Sequence, residues 1–458
     1  MFSRRSFLST AALGVVGAAG LAGCSSDGPA ALETAPSGHP VQGAALTYDP
    51  NHLVNDGEPI TLEWWLWDGD EIFGAFAEAY TAIHTNVELK IVKQPWEDYW
   101  TKLPLALKDS GNPAIFNIHN SYHTNLFPYL EPYDLDIAQL SEDYTAVDAH
   151  VIDGKVYYVD YGLMSGVIYY NTDMWEAAGL TDADIPKTWD QLREVAKKLT
   201  ISEGENFTQA GFNFNAQFSA FTPGMPYQQG QNLFAEDQIT PTFATDAMTD
   251  AVAFFQGLYD IDKVGSKDFG TSAGDSFGQG QTAMTYSWTH LGGTLAADFP
   301  DLPYATFPTP VPVTGEEPYA LDRYNGESTI GISKNADDAA KAVAQDFLTF
   351  FLTSEENLKA LCLNYHVFPM YGPLAEAPEI AENPQLSSLA ENLERYIWPG
   401  PMPATIEENA TTMWEDILYN GVAPADAIAA AQAAIETDLS SADFVAVEDK
   451  YAFYQPSH

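Results

Sequence analysis

Aromatic rings and planar hydrogen-bonding side chains stand side by side at several places in this sequence, a pairing whose chemistry is stacking beside paired hydrogen bonding. A pyranose offers an apolar face of C–H groups and a rim of hydroxyls, so it takes flat rings for stacking and carboxylates or amides for paired hydrogen bonds. Trp67-Asp68 ends an apolar run that begins at Ile60, with an indole to stack and a carboxylate to accept from two hydroxyls. Asn117, His119 and Asn120 follow a second such run, Ala114–Ile118. Trp288 stands just after Ala283-Met284, and Trp398 sits in Trp398-Pro399-Gly400-Pro401, a rigid loop ahead of a helix. Phe218 and Phe221, in an irregular polar stretch, are further aromatic candidates. With 10 Trp, 24 Tyr and 25 Phe, each ring has a packing alternative, so position must decide. Trp64, Trp65 and Trp67 read equally as core with Asp68 as a turn former, Asn120 as a helix cap, and Trp398 as a hydrophobic lid.

Covalent chemistry has less to stand on. Glycoside hydrolysis takes two carboxylates across a cleft, but 64 acidic residues guarantee some such pair, so composition decides nothing. The sequence has no His-Glu-x-x-His and no P-loop. Its nine histidines show no metal-ligand spacing, and Gly278-Gln279-Gly280 lacks the glycines and the basic residue of a phosphate loop. The expectation is a protein without catalytic residues, metal or cofactor. A formal net charge of -45 repels nucleic acid and anionic membrane surfaces, and it disfavours phosphorylated ligands.

The elements that must position these residues follow from periodicity. Ile60–Trp67, Val87–Val92 and Ala114–Ile118 read as strands, and Ile72–His84 and Trp96–Lys108 as helices between them. That alternation predicts α/β units on a mainly parallel sheet. Lys155–Val159 and Val167–Tyr170 read as strands flanking a glycine-containing bend, Tyr161–Gly166. Thr188 with Gln191 three residues on predicts a capping box. Further helices are expected over Thr245–Tyr259, Asn335–Thr353, Leu386–Glu394, Thr405–Tyr419 and Ala425–Thr437.

The N-terminus reads as an address. Ser3-Arg4-Arg5-Ser6-Phe7-Leu8, a short apolar run and Leu21-Ala22-Gly23-Cys24 have the order of an export signal ending in a lipobox, with the paired arginines matching twin-arginine export. Residues 1–23 are then the signal, Cys24 the lipidated first mature residue, and 24–59 a flexible tether rich in Ser, Gly, Pro and Ala. Cys362, the other cysteine, has no partner and sits in an apolar stretch, which predicts a buried, inert thiol.

Four blocks in order give the chain a resemblance. Tyr170-Asn171-Thr172-Asp173-Met174 through Ala178-Gly179-Leu180, followed by Pro186-Lys187-Thr188-Trp189-Asp190-Gln191-Leu192, resembles the signature of family 1 extracellular solute-binding proteins. Phe277-Gly278-Gln279-Gly280-Gln281-Thr282-Ala283-Met284, Asn325–Lys334 and Phe347–Glu356 are similar to three further blocks of that family. Asn325-Gly326 departs from the family's glycine pair. The resemblance implies a periplasmic-binding-protein-like fold of type II: two α/β lobes, each a mostly parallel sheet flanked by helices, with a ligand cleft between them. Lobe 1 would hold 60–163 and 305–355, and lobe 2 would hold 164–304 and 356–458. It implies a monomeric lipoprotein outside the cytoplasm that captures carbohydrate by hinge closure and hands it to the permease subunits of an ABC importer. A peptide, polyol or polyamine ligand, a surface lectin, or a secreted glycan-acting enzyme are the alternatives. By resemblance Trp288 is the stacking aromatic of lobe 2, and the Tyr324-Asn325-Gly326 loop returns to the cleft.

Overall fold

The computed structural model describes residue 29 and residues 31–456, apart from 111, 205, 314–316, 391 and 441–443. The export signal and Cys24 lie outside the described residues.

In chain order the elements that position the site are β1 (Ile60–Leu66), α1 (Asp70–Ile83), β2 (Val87–Lys93), α2 (Trp96–Ser110) and β3 (Ile115–Asn117). Next come β4 (Asp160–Asn171), α3 (Trp189–Leu199), α4 (Asp246–Asp260), β5 (Met284–Trp288), β6 (Tyr304–Pro308), β7 (Asp322–Ser328) and β8 (Ile330–Ile332). The chain ends with α5 (Asp338–Thr353), α6 (Glu355–Tyr365), β9 (Phe368–Pro369), β10 (Tyr396–Ile397), α7 (Ala404–Leu418) and α8 (Pro424–Leu439). Thr188 caps α3 in the expected box, its hydroxyl accepting from Gln191 N–H while the Gln191 side chain reaches back.

The first sheet has the order β8-β3-β1-β2. β1 pairs in parallel with β2 along its whole length and with β3 at Trp64 and Trp65, while β8 closes the edge antiparallel to β3. The second sheet is mixed and is organised by β4. One half of β4 takes β5 and β6 on its two edges, the other half takes β7 and β9, all antiparallel, and β10 joins β7 in parallel.

β4 departs from the sequence reading. The glycines of Tyr161–Gly166 make no bend; the strand runs unbroken for 12 residues. They are there because neighbours press on the strand. A Cβ at Gly166 would lie 1.8 Å from the Tyr286 hydroxyl, and one at Gly162 would lie 2.4 Å from Val367 Cγ2. A glycine inside a strand marks such close approaches as readily as a turn. The Tyr324-Asn325-Gly326 stretch is likewise strand, not loop: it pairs with Ser165, Met164 and Leu163 of β4.

Two hydrophobic cores result. One gathers β1–β3, α1, α5 and α6, with Trp64, Phe76, Tyr80, Phe347 and Phe351 at its centre. The other gathers α3, α4, β5, α7 and α8 around Phe214, Phe255, Tyr286 and Trp414. Buried residues from Leu358 to Leu389 belong to the first core, although the boundary read from sequence gave 356–458 to the second lobe. Cys362 is buried there, and burial pushes its thiol up, out of reach of deprotonation near neutrality. Residues 41–57, expected within the tether, are also folded: Leu46, Tyr48 and Val54 are buried, and the Ala45 and Leu46 N–H groups donate to the Asp143 carboxylate at 3.0 and 2.7 Å. Composition hid these few apolar anchors. Among the described residues no helix is long and apolar enough to cross a membrane.

Candidate functional site

A cavity of about 550 Å³ opens where the ends of the first sheet face β5 and α7 across the strands β4 and β7. The first lobe contributes Trp67 and Asp68 from just beyond β1, Asn117 from the end of β3 with Ile118 and His119 after it, Phe73 from α1 and Trp96 from the start of α2. This is the position expected for ligands of α/β sheets, outside the carboxyl ends of the strands. The opposite wall contributes Trp288 from the end of β5 and His290 after it, with Met402 just before α7 and Glu407 within it. Between them lie Tyr161 and Met164 of β4, Asn325, Glu327 and Ser328 of β7, and Tyr365 of α6.

Trp67 is one ring of an aromatic bank, with Trp96 at 5.5 Å, Trp100 at 5.1 Å and His119 at 6.1 Å between centroids. Trp64, three residues earlier and on the opposite face of the strand, is wholly buried and donates its indole N–H to Asn117 Oδ1 at 2.8 Å. That bond fixes the Asn117 amide, so its NH₂ is the group left to offer the cavity. The Asp68 carboxylate is exposed at the rim, 3.5 Å from Lys93 Nζ. Burial holds the His119 imidazole down at about 4, so it is neutral at physiological pH and can both donate and accept.

On the far wall, the Arg323 guanidinium lies 4.8 Å from the Trp288 ring centroid and donates to Glu407 Oε1 at 2.6 Å. One buried cation therefore holds both the indole and the carboxylate that line the cavity. In the middle, burial, with the Asp160 charge behind it, pushes the Glu327 carboxyl up to about 8. In its neutral form it donates as well as accepts.

Six of the ten residues expected at the site line this cavity: Trp67, Asp68, Asn117, His119, Trp288 and Asn325. The other four do not. Asn120 is buried and donates to Asn325 Oδ1 at 2.8 Å and to the Gly326 carbonyl at 2.7 Å, so it orients Asn325 from behind. Gly326 faces away, where a Cβ would meet the Asp160 carboxylate at 1.8 Å. Tyr324 is buried and stacks on Trp398 at 6.2 Å, because strand alternation sends 324 and 325 to opposite faces. Trp398 packs on His150 at 4.3 Å and lines a separate hollow with Tyr157 and Phe444, so it does not close over the cleft. Phe218 and Phe221 belong to the second core, against Trp414. Sequence reasoning missed Trp96, Tyr161, Met164, Glu327, Tyr365 and Glu407. Reading Asn325-Gly326-Glu327 as a strand would have put Glu327 beside Asn325; Glu407, on a helix far along the chain, carries no local signal.

Comparison with known proteins agrees with this architecture. The diacetylchitobiose binding protein DasA of Streptomyces coelicolor is 26% identical over 321 residues, 65% of this chain and 70% of that one. The maltose/maltodextrin-binding domain MalE from Bdellovibrio bacteriovorus, bound to maltotriose, superposes with a TM-score of 0.67 at 18% identity over 83% of this chain and 100% of its own. The cyclic alpha-maltosyl-1,6-maltose binding protein from Arthrobacter globiformis gives 0.68 at 21% identity, covering 83% of this chain and 99% of its own. These two likenesses are of fold. A sequence profile described as bacterial extracellular solute-binding protein matches residues 75–388. With its two lobes, its cleft and that match over most of its length, the chain belongs to the family of bacterial extracellular solute-binding proteins.

Proposed function

We propose that this protein captures a neutral oligosaccharide in the cleft and delivers it to the permease of an ABC importer. The observation that carries the reading is the pairing, across one cavity, of Trp67 and Trp288 with the amide and carboxyl groups of Asp68, Asn117, Asn325, Glu327 and Glu407. Rings stack on C–H faces, and planar polar groups reach hydroxyl pairs. Among the described residues no Lys or Arg lines the cavity, which disfavours a phosphorylated or acidic ligand. The saccharides named for the similar proteins support the same class. Trp67, Asp68, Asn117, His119, Trp288 and Asn325 are the proposed contacts, joined by Trp96, Glu327 and Glu407; Asn120 is a positioning residue.

The lobes divide broadly along the two cores, with 356–389 added to the first, and β4 and β7 are the crossing strands on which closure turns. The protein acts as a monomeric binder that returns its ligand intact, and Cys24 carries the lipid that anchors it to the outer face of the membrane. Calorimetric titration of chito-, malto- and manno-oligosaccharides, with the glycan recovered and analysed, tests the reading. One glycan class binding at one per chain, unaltered, supports it. Binding only to peptides, polyols or polyamines overturns the carbohydrate class, and consumption of the glycan overturns the binder.

A further inference from the structure

A second group of chemically competent side chains lies in the first lobe, away from the cleft. The folded segment 41–57 rests on α1 and α5 and brings Tyr48 and His52 against His84 and Asp346. His52 Nδ1 is 2.7 Å from the Asp49 carbonyl oxygen, and Nε2 is 2.6 Å from Asp346 Oδ2. A carbonyl oxygen only accepts, so Nδ1 carries a proton, and Nε2 is the nitrogen turned toward the carboxylate. Two lone pairs at that separation need a cation between them. At 2.6 Å a proton fills that role, and a metal ion would take the same two lone pairs once they part to about 3.4 Å. A histidine whose second nitrogen donates to a backbone carbonyl is already oriented as a metal ligand.

The surroundings are arranged about the same point. The Tyr48 hydroxyl bridges His84 Nε2 at 2.6 Å and Asp346 Oδ1 at 2.9 Å, and the Tyr80 hydroxyl donates to Asp346 Oδ1 at 2.6 Å. His84 is fully buried, and its Nδ1 has no hydrogen-bond partner. A buried polar atom left in that state asks for an explanation, and a bound ion is one. Donor atoms of His52, His84 and Asp346 all lie within 4.8 Å of one another. Around a tetrahedral ion with bonds near 2.1 Å, donors stand about 3.4 Å apart, so small ring rotations would close the set. Sequence spacing could not show this, because the three residues come from the N-terminal segment, the end of α1 and the middle of α5.

We propose that His52, His84 and Asp346 hold a divalent transition-metal ion of the zinc class, which staples the N-terminal segment to α5. Imidazole and carboxylate donors without thiolate suit that class and leave one position for water. The site is separate from the cleft and does not depend on the ligand assigned there. It would fix the direction in which the lobe leaves its tether.

The test uses the mature chain, stripped with a chelator and titrated with Zn²⁺ in a large excess of Mg²⁺ that occupies the acidic surface. One Zn²⁺ per chain is expected, with a rise in melting temperature and a nitrogen-and-oxygen first shell by X-ray absorption. His52→Gln, at a half-exposed position that leaves the core untouched, should weaken binding at least tenfold. His84→Gln should do the same, with circular dichroism reporting whether the fold survives. Absence of saturable Zn²⁺ binding by the wild type, or binding unchanged in His52→Gln, would overturn the proposal and leave the cluster as a proton-held ion pair.

Discussion

Trp288 owes its place to Arg323. The guanidinium lies over the ring and donates to Glu407, so one buried side chain sets both a stacking surface and a hydroxyl acceptor. Stacking of one ring is worth about 1 kcal/mol beyond its burial, close to a tenfold change in affinity when lost with its area. Trp288→Ala should therefore weaken glycan binding about tenfold in calorimetry, with a lower melting temperature of the free protein because the ring also packs on both cores and on Arg323. Glu327 makes a different prediction. Its carboxyl is raised from the ordinary range to about 8, so the folded state holds a proton that the unfolded state has lost. Stability from this group is complete below the ordinary carboxyl range and falls as pH rises toward 8. Glu327→Gln should remove that slope, and the variant should gain on the wild type in denaturant midpoints measured between pH 5 and pH 8.

At the scale of elements, β4 is the piece on which the cleft depends, since it carries Tyr161 and Met164 and pairs with four other strands. Gly166 lets the Tyr286 ring lie against it, and Tyr286 in turn donates to Asp322 at 2.9 Å. A methyl group there meets a rigid, buried ring that cannot turn aside. Gly166→Ala should cost about 2 kcal/mol, the usual price of overpacking, read as a lower urea midpoint with unchanged slope. The strands and helices of the first lobe were legible because their apolar periods are clean, and the Thr188 box because its two residues are local. β4 was read as two strands and a bend because a glycine that admits a neighbour looks, in sequence, like a glycine that turns the chain. The same limit split the site. Residues at the ends of β1, β3 and β5 are legible from the strand ends, whereas the facing of Tyr324 depends on a strand register that only pairing fixes, and that of Trp398 on its packing against His150. Glu407 and Tyr365 reach the cavity from helices whose placement is wholly tertiary.

The whole molecule carries a net charge of -45, and its buried acids add to the effect. Burial pushes Asp322 and Glu448 up to about 7, the same direction as Glu327. Folded-state protons and reduced self-repulsion both favour mildly acidic conditions. The melting temperature should be higher at pH 5 than at pH 8, and added NaCl should narrow the gap by screening the surface charges. The central claim concerns what the cleft holds. It is tested most directly by calorimetric titration of the mature protein with a panel of neutral oligosaccharides beside peptides and polyamines. The account predicts saturable binding of one oligosaccharide class at one per chain, weakened by Trp288→Ala and returned chemically intact. Saturable binding of a peptide or polyamine with no response to any glycan would contradict it.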